Sequence, residues 1–352
     1  MGATLSNSTR KFLLFMSLLL VVLGNTAGPL LMRFYYVKGG NRKWFITWLQ
    51  TGGWPIMLIP LLISYFQRRK TDPHAKLYHI QYPTIISAAV IGTAFGAINF
   101  LYSIAAQRLP VSTSTLILAS NLIFTAFSAY VLVKQKFTPY LVNAIVLLTA
   151  GSAALAMHAS SERPQGESKK SYAMGFAMMF IATALMGFLF PSLELVYKKT
   201  KLALTFNLVM EIQVVITFSA TAFATIGMII NNDFKVISRE AGQFVLGETK
   251  YYVVIVSLAI IFQFYSLGAF GLIFCASALV NGIVTAVLLP ITEVLAVIFF
   301  HDKFTSEKGM SLALCLWGFA SHLYGEYRAS KKQNQIIMQE SAKNTPTVEL
   351  QP

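Results

Sequence analysis

Apolar residues run along this chain in stretches of about twenty, each closed by a short polar connection, which is the pattern of repeated bilayer crossings. Ten such runs fall at about 12–36, 44–66, 84–106, 112–133, 140–158, 172–197, 205–230, 251–275, 277–300 and 309–327, each of a length that suits a helix across the hydrocarbon core. Backbone polar groups in hydrocarbon must be satisfied within their own segment, so helices are expected. The second five runs echo the first five. Leu116–Thr138 aligns without gaps on Ile283–Thr305, and both end in the same tripeptide, at Lys136–Thr138 and Lys303–Thr305. An odd number of crossings per half turns the two halves opposite ways. The expected fold is thus an all-α membrane protein of ten transmembrane helices in two inverted five-helix repeats. Many secondary carriers are built this way, with the substrate held where the halves meet.

The expected organisation follows from the same pattern. A cytosolic segment 1–11 precedes repeat 12–158, an outer linker 159–171 leads to repeat 172–328, and a polar, disordered cytosolic tail occupies 329–352. The start of the chain also resembles a secretory signal, with Arg10-Lys11, the apolar Phe12–Leu23 and the small residues Gly24–Ala27. A retained first helix is expected, because removing it would break the five-plus-five plan. Lys and Arg are almost balanced between the two sides, so they orient the bundle weakly. The expected arrangement is a multi-pass plasma-membrane protein with both termini in the cytosol.

Composition excludes several classes. Of 352 residues 55% are hydrophobic and only 12% charged, against about 25% charged in soluble domains. The net charge of +14 sits in connections and tails, where lipid headgroups are its natural neighbours, so the bilayer rather than nucleic acid is the expected partner. Cys275 and Cys315 both fall in apolar runs and read as buried thiols. No phosphate-cradling GxxxxGK[ST], no GxSxG and no HExxH occurs. His158, His301 and His322 do not form a metal cluster. Neither an enzyme nor a cofactor or metal is expected.

The residues that should carry chemistry are the polar ones inside apolar runs. Three carboxylates lie there: Glu194, Glu211 and Glu293. An ionised acid at a span centre costs roughly 2.5–3.5 kcal/mol, and burial favours its protonated form, so these are the candidate proton carriers, with H+ as the coupling ion. Glu293 follows Pro290 by three residues, and its repeat-related position is Ala126, so the shared architecture does not demand an acid there. Glu194 is one helical turn from Lys198, a spacing that also suits a simple ion pair. The neutral set is Asn25, Gln50, Asn99, Ser120, Asn121, Gln263 and Asn281, with Trp54 four residues from Gln50 and Tyr102 three from Asn99. An amide offers a donor and an acceptor, the complement of a heterocycle's N–H and ring-nitrogen edges, and an aromatic side chain supplies a face to stack on. The bland alternative is hydrogen-bonding between helices, worth about 0.6 kcal/mol per bond. Mid-span Lys or Arg is absent from the expected spans, which points to an uncharged substrate.

Several stretches resemble the plant purine permease family of the drug/metabolite transporter superfamily. They include Gly24–Leu31, Gly39–Trp44, Leu49–Thr51, Leu109–Ser114, Val133–Thr138, Leu288–Glu293, Trp317–Phe319 and Tyr324–Glu326, in consistent order over residues 12–328. The resemblance implies a proton-coupled importer of ten helices whose substrates are adenine, free-base cytokinins and related small heterocycles. Asn121 stands where Gln is expected in many relatives.

Overall fold

The computed structural model describes residues 7–71, 76, 78–109, 114, 117–118, 120–159, 169–200, 205–300 and 306–343, several of them by backbone alone. Among these residues the chain is helical and contains no strand. α1 (Asn7–Val37), α2 (Lys43–Thr51), α3 (Pro55–Thr71), α4 (Tyr82–Arg108), α5 (Asn121–Val133) and α6 (Pro139–Ala159) make up the first half. α7 (Lys169–Lys199), α8 (Phe206–Ile230), α9 (Asp233–Gln243), α10 (Glu248–Cys275), α11 (Ala278–Phe300) and α12 (Ser306–Lys343) make up the second. Among the described residues six helical stretches are long and apolar enough to cross a membrane: Ser8–Val37, Lys43–Lys70, Tyr82–Arg108, Lys170–Lys199, Phe206–Ile230 and Glu248–Cys275. Large apolar side chains such as Phe127, Ile226, Ile230 and Trp317 stand exposed on the outside of the bundle, as they must where the solvent is lipid.

Three elements depart from the hydropathy reading. The run 44–66 is not one helix: α2 ends at Thr51, the chain turns through Gly52–Trp54, and Pro55 opens α3. Proline suits a first helical position and disfavours helix in the residue before it, and hydropathy is blind to both effects. The polar connection after α8 contains α9, whose Asp233, Glu240 and Ala241 are buried. The tail expected to be disordered from 329 continues α12 as helix to Lys343. No Gly or Pro interrupts that stretch, which is rich in the good helix formers Lys, Gln and Glu. α1 runs unbroken through Gly24–Ala27.

The contacts between halves come in matched pairs. α1 packs along α10 as α7 packs along α4; α4 lies on α8 as α10 lies on α2; α5 meets α7 as α11 meets α1. Further contacts between the halves join α2 and α3 to α8, α5 and α6 to α11, and α6 to α12. Close approach needs small residues: a Cβ on Gly268 of α10 would stand 2.6 Å from the Val21 backbone nitrogen of α1.

The face carrying the α1–α2 connection and α9 is called upper here, and the face carrying the start of α1 lower. On the lower side the helices close tightly around a core that includes Val21, Phe95, Leu193, Ile212, Phe270 and Leu288. Arg10 donates from Nε and Nη2 to the Cys275 carbonyl at 3.2 and 2.8 Å, tying the start of α1 to the end of α10. On the upper side Glu240 of α9 is buried, accepting from the Tyr35 and Tyr251 hydroxyls and from the Asn41 N–H. Arg42 lies 3.5 Å from both Glu240 and Asp233, and Gln107 at the end of α4 donates to Asn41. The α1–α2 connection is thereby strapped to α9 on one side and to α4 on the other. Burial raises the Asp233 carboxyl above its ordinary range, opposed by its hydrogen bonds from Asn231 and Arg42 and by the Arg42 charge.

Candidate functional site

A cavity of about 400 Å³ lies between the two halves, within the 300–1,000 Å³ range of small-molecule sites. Its wall is drawn from one stripe of each helix. On α1 the stripe is Asn25, Pro29, Arg33 and Tyr36; on α4 it is Phe95, Asn99, Tyr102 and Ala106; on α11 it is Gly282, Thr285, Leu289 and Thr292. Steps of three and four residues keep each set on a single helix face. Thr183 and Met186 of α7, Phe262, Tyr265 and Ser266 of α10, Gln50 of α2, and Ser114, Leu118 and Asn121 complete the wall.

The cavity is one-sided. α1 contributes only from Gly24 onward and α4 only from Phe95 onward, the parts nearer the upper face. Phe190, Leu193 and Ile273 of the lower core do not line it, whereas Phe95 of the same core does. Val37 and Gln107 line the upper end, beside the strap formed by Asn41 and Arg42. Leu118 and Leu122, which align without gaps on Thr285 and Leu289 in the sequence, line the cavity as those two residues do.

Asn25, Gln50, Asn99, Tyr102 and Asn121, five of the residues selected from the sequence, line this space. Gln50 donates to Ser103 Oγ at 3.3 Å, and Ser103 donates to the Asn99 carbonyl at 2.8 Å, so α2 and α4 hold each other in register. Asn99 Nδ2 is buried without a partner among the described residues. Asn121 accepts at 3.5 Å from Thr125.

Trp54, Ser120, Gln263 and Asn281 are not part of the wall. Trp54 was paired with Gln50 by helical spacing, but the turn at Gly52–Trp54 breaks that relation, and its indole stands edge-on to Phe218 at 5.3 Å. Ser120 donates to the Ile117 carbonyl at 2.6 Å. Gln263 packs against the Gly53 turn, where an added Cβ would meet its own Cβ at 2.8 Å. Asn281 is wholly buried one residue before the lining Gly282. Both amide atoms of Gln263 and of Asn281 lack partners among the described residues.

The acids also divide. Glu194 accepts from the Ala278 N–H at 2.8 Å and pairs with Lys198 at 2.8 Å, so it caps α11 and ties it to α7. Glu211 accepts from the backbone N–H groups of His79 and Ile80 at 2.8 and 2.9 Å, fixing the approach to α4. Neither lines the cavity. The α11 backbone carries Glu293 directly after the lining Thr292, but its side chain lies outside the described residues.

Arg33, Tyr36, Thr183, Tyr265 and Ser266 are wall residues that sequence reasoning missed. The first two were within reach, since they continue the helical stripe begun by Asn25. Arg33 is not a mid-span cation, since it lies four residues from the end of α1, but it stands against the cavity, engaged with a neighbour. Thr183 and Ser266 carry small hydroxyls that an apolar run hides.

A helical bundle with membrane-spanning elements, enclosing a polar-spotted cavity between its halves, defines a multi-pass membrane protein with a small-molecule site. The chain belongs to the PUNUT family, described as carrying out purine nucleobase transmembrane transport, which it matches over residues 12–332. It is 45% identical to purine permease 3 of Arabidopsis thaliana over 94% of this chain and 95% of that protein. It is 44% identical to purine permease 2 of the same plant over 92% and 94%, and 39% identical to its probable purine permease 5 over 89% and 85%. A solved crystal structure at 14% identity superposes with a TM-score of 0.62, covering 92% of this chain and 99% of the other, and shows the fold alone. With that membership the chain is a transporter and not an enzyme.

Proposed function

We propose that the protein is a proton-coupled importer of purine nucleobases and related heterocycles such as adenine and free-base cytokinins. The carrying observation is the one-sided cavity at the junction of the halves, lined by Asn25, Asn99, Asn121, Tyr102 and Tyr265. Amides there read the edges of a flat ring, and the tyrosines offer faces to stack on. The bundle comprises ten crossings in two inverted repeats. Matched helix contacts between halves, and the alignment of Leu118 and Leu122 with Thr285 and Leu289, support that reading. The upper face is the outer one, both termini are cytosolic, and the address is the plasma membrane. Substrate enters from the upper side. Release below requires the lower core to part and the Arg10 contact to Cys275 to break, as one half rocks against the other.

Glu293 is the proton carrier in this proposal, because it adjoins the wall on α11 just beyond Pro290. Glu194 and Glu211 act by holding the lower helix ends, as their bonds to backbone N–H groups indicate. The test is uptake of labelled adenine by cells or proteoliposomes. Accumulation should be favoured by an acid exterior, collapse with a protonophore, and lose its gradient dependence in Glu293→Gln. Full uphill accumulation by that variant, still sensitive to the protonophore, sinks the assignment. Arg33 favours one second reading, an exchanger of nucleotide sugars, whose phosphates need cations. Free bases competing with labelled adenine where nucleotide sugars do not would reject it.

A further inference from the structure

We infer that the Thr183 hydroxyl is a specificity-determining contact, one that reads a ring nitrogen or exocyclic amino group of the bound heterocycle from the second half of the protein. The inference deepens the purine reading above and rests on it. It begins with an anomaly among the threonines. A helical threonine commonly donates its hydroxyl proton to the carbonyl four residues back, and here Thr26, Thr217, Thr221, Thr225, Thr285 and Thr292 all do so at 2.7–3.0 Å. Thr183 sits in the middle of α7 with the Met179 carbonyl in the same relation, yet its Oγ1 has no hydrogen-bond partner among the described residues. The residue is only 2% exposed.

A buried hydroxyl without a partner carries a desolvation penalty, so its place matters. Thr183 lies on the cavity wall, not in the packed interior. Thr285 and Thr292 also line the cavity, and both have their protons committed to α11 carbonyls. Of these three wall threonines, Thr183 alone keeps both donor and acceptor capacity for an incoming group. On the same cavity wall, Asn99 of α4 holds a second buried group without a partner among the described residues, its Nδ2 donor. α4 and α7 pack against each other and come from different halves. A ligand that answers Asn99 and Thr183 together is held by both halves at once, and an analogue missing one polar atom leaves a buried group unanswered. A site of that kind discriminates by polar complementarity more sharply than an apolar pocket does by size.

The experiment is a ligand-against-protein cycle on the full-length transporter. Inhibition constants against labelled adenine uptake are measured for adenine, for its single-nitrogen deaza analogues and for purine lacking the amino group. Each is tested on wild type, Thr183→Val and Thr183→Ser. Wild type should lose about three- to tenfold in affinity for at least one analogue. In Thr183→Val that one penalty should fall to near onefold while penalties at other ring positions persist, and Thr183→Ser should keep the wild-type pattern. Valine matches threonine in shape, so the folded yield should hold; Thr183→Ala serves as a second variant with the same expectation. Unchanged penalties across the whole panel in both Thr183→Val and Thr183→Ala overturn the inference. Failure of wild type to take up or be inhibited by any purine is a different result: it overturns the functional reading, and this inference falls with it.

Discussion

Replacing Glu240 by Gln probes the strap across the upper face most directly. The carboxylate is buried and receives the Tyr35 hydroxyl, the Tyr251 hydroxyl at 3.2 Å and the Asn41 N–H at 3.4 Å, with Arg42 at 3.5 Å. The amide keeps the shape but exchanges one acceptor oxygen for a donor, which must then face groups that also donate. Breaking a fully buried ion pair costs about 3–5 kcal/mol, but the Arg42 side chain is 29% exposed and can turn to water, which removes most of that component. What remains is the loss of charge-assisted bonds from the two tyrosines and the backbone, about 2–3 kcal/mol in all. At roughly 2 °C per kcal/mol for a chain of this size, the midpoint should fall by about 4–6 °C. The protein carries its own reporters for the measurement, since Cys275 and Cys315 are buried thiols. A thiol-reactive dye that fluoresces on coupling follows their exposure during heating in detergent. Tyr35→Phe should cost about 1 kcal/mol, and the double variant should cost less than the sum, because both changes remove the same bond. A midpoint within 1 °C of wild type for Glu240→Gln, or strict additivity with Tyr35→Phe, would refute the reasoning.

Further outcomes follow from geometry already described. Gly268→Ala places a methyl 2.6 Å from the Val21 nitrogen, so α1 and α10 must separate; a loss of about 1–3 kcal/mol, read as a lowered midpoint, is expected. Asn99→Ala should raise the KM for adenine severalfold, whereas Trp54→Ala, off the wall and against Phe218, should leave it near wild type in the same uptake assay. The raised Asp233 carboxyl means that the folded protein holds that proton more firmly than the unfolded chain. Its contribution to stability is therefore present below the ordinary carboxylate value and declines as pH rises through the raised one. Asp233→Asn should flatten that part of a midpoint-against-pH curve while leaving the rest unchanged.

Hydropathy and repeat periodicity located most helices within a few residues, because twenty apolar residues in sequence have almost no alternative to a spanning helix. They missed the break at Gly52–Trp54 and the buried face of α9, since both depend on backbone preference and tertiary contact instead of apolar content. The site was partly legible for a related reason. An amide inside an apolar run stands out by its cost, and Asn25, Gln50, Asn99 and Asn121 lie on the wall. Cost alone does not say which way an amide faces, so Gln263 and Asn281 were chosen with equal reason and are buried beside other helices. Hydroxyls were invisible, because a threonine such as Thr183 ordinarily satisfies itself on its own helix. Extending the 3–4 spacing from Asn25 would have added Arg33 and Tyr36 without any coordinates.

The contact from Arg10 across to α10 ends on a main-chain oxygen, not on the thiol of residue 275. Whatever amino acid occupies that position, the oxygen stays where the helix end puts it. Sequence drift at 275 is therefore free to follow packing, and the strength of this one tie depends on the guanidinium at position 10.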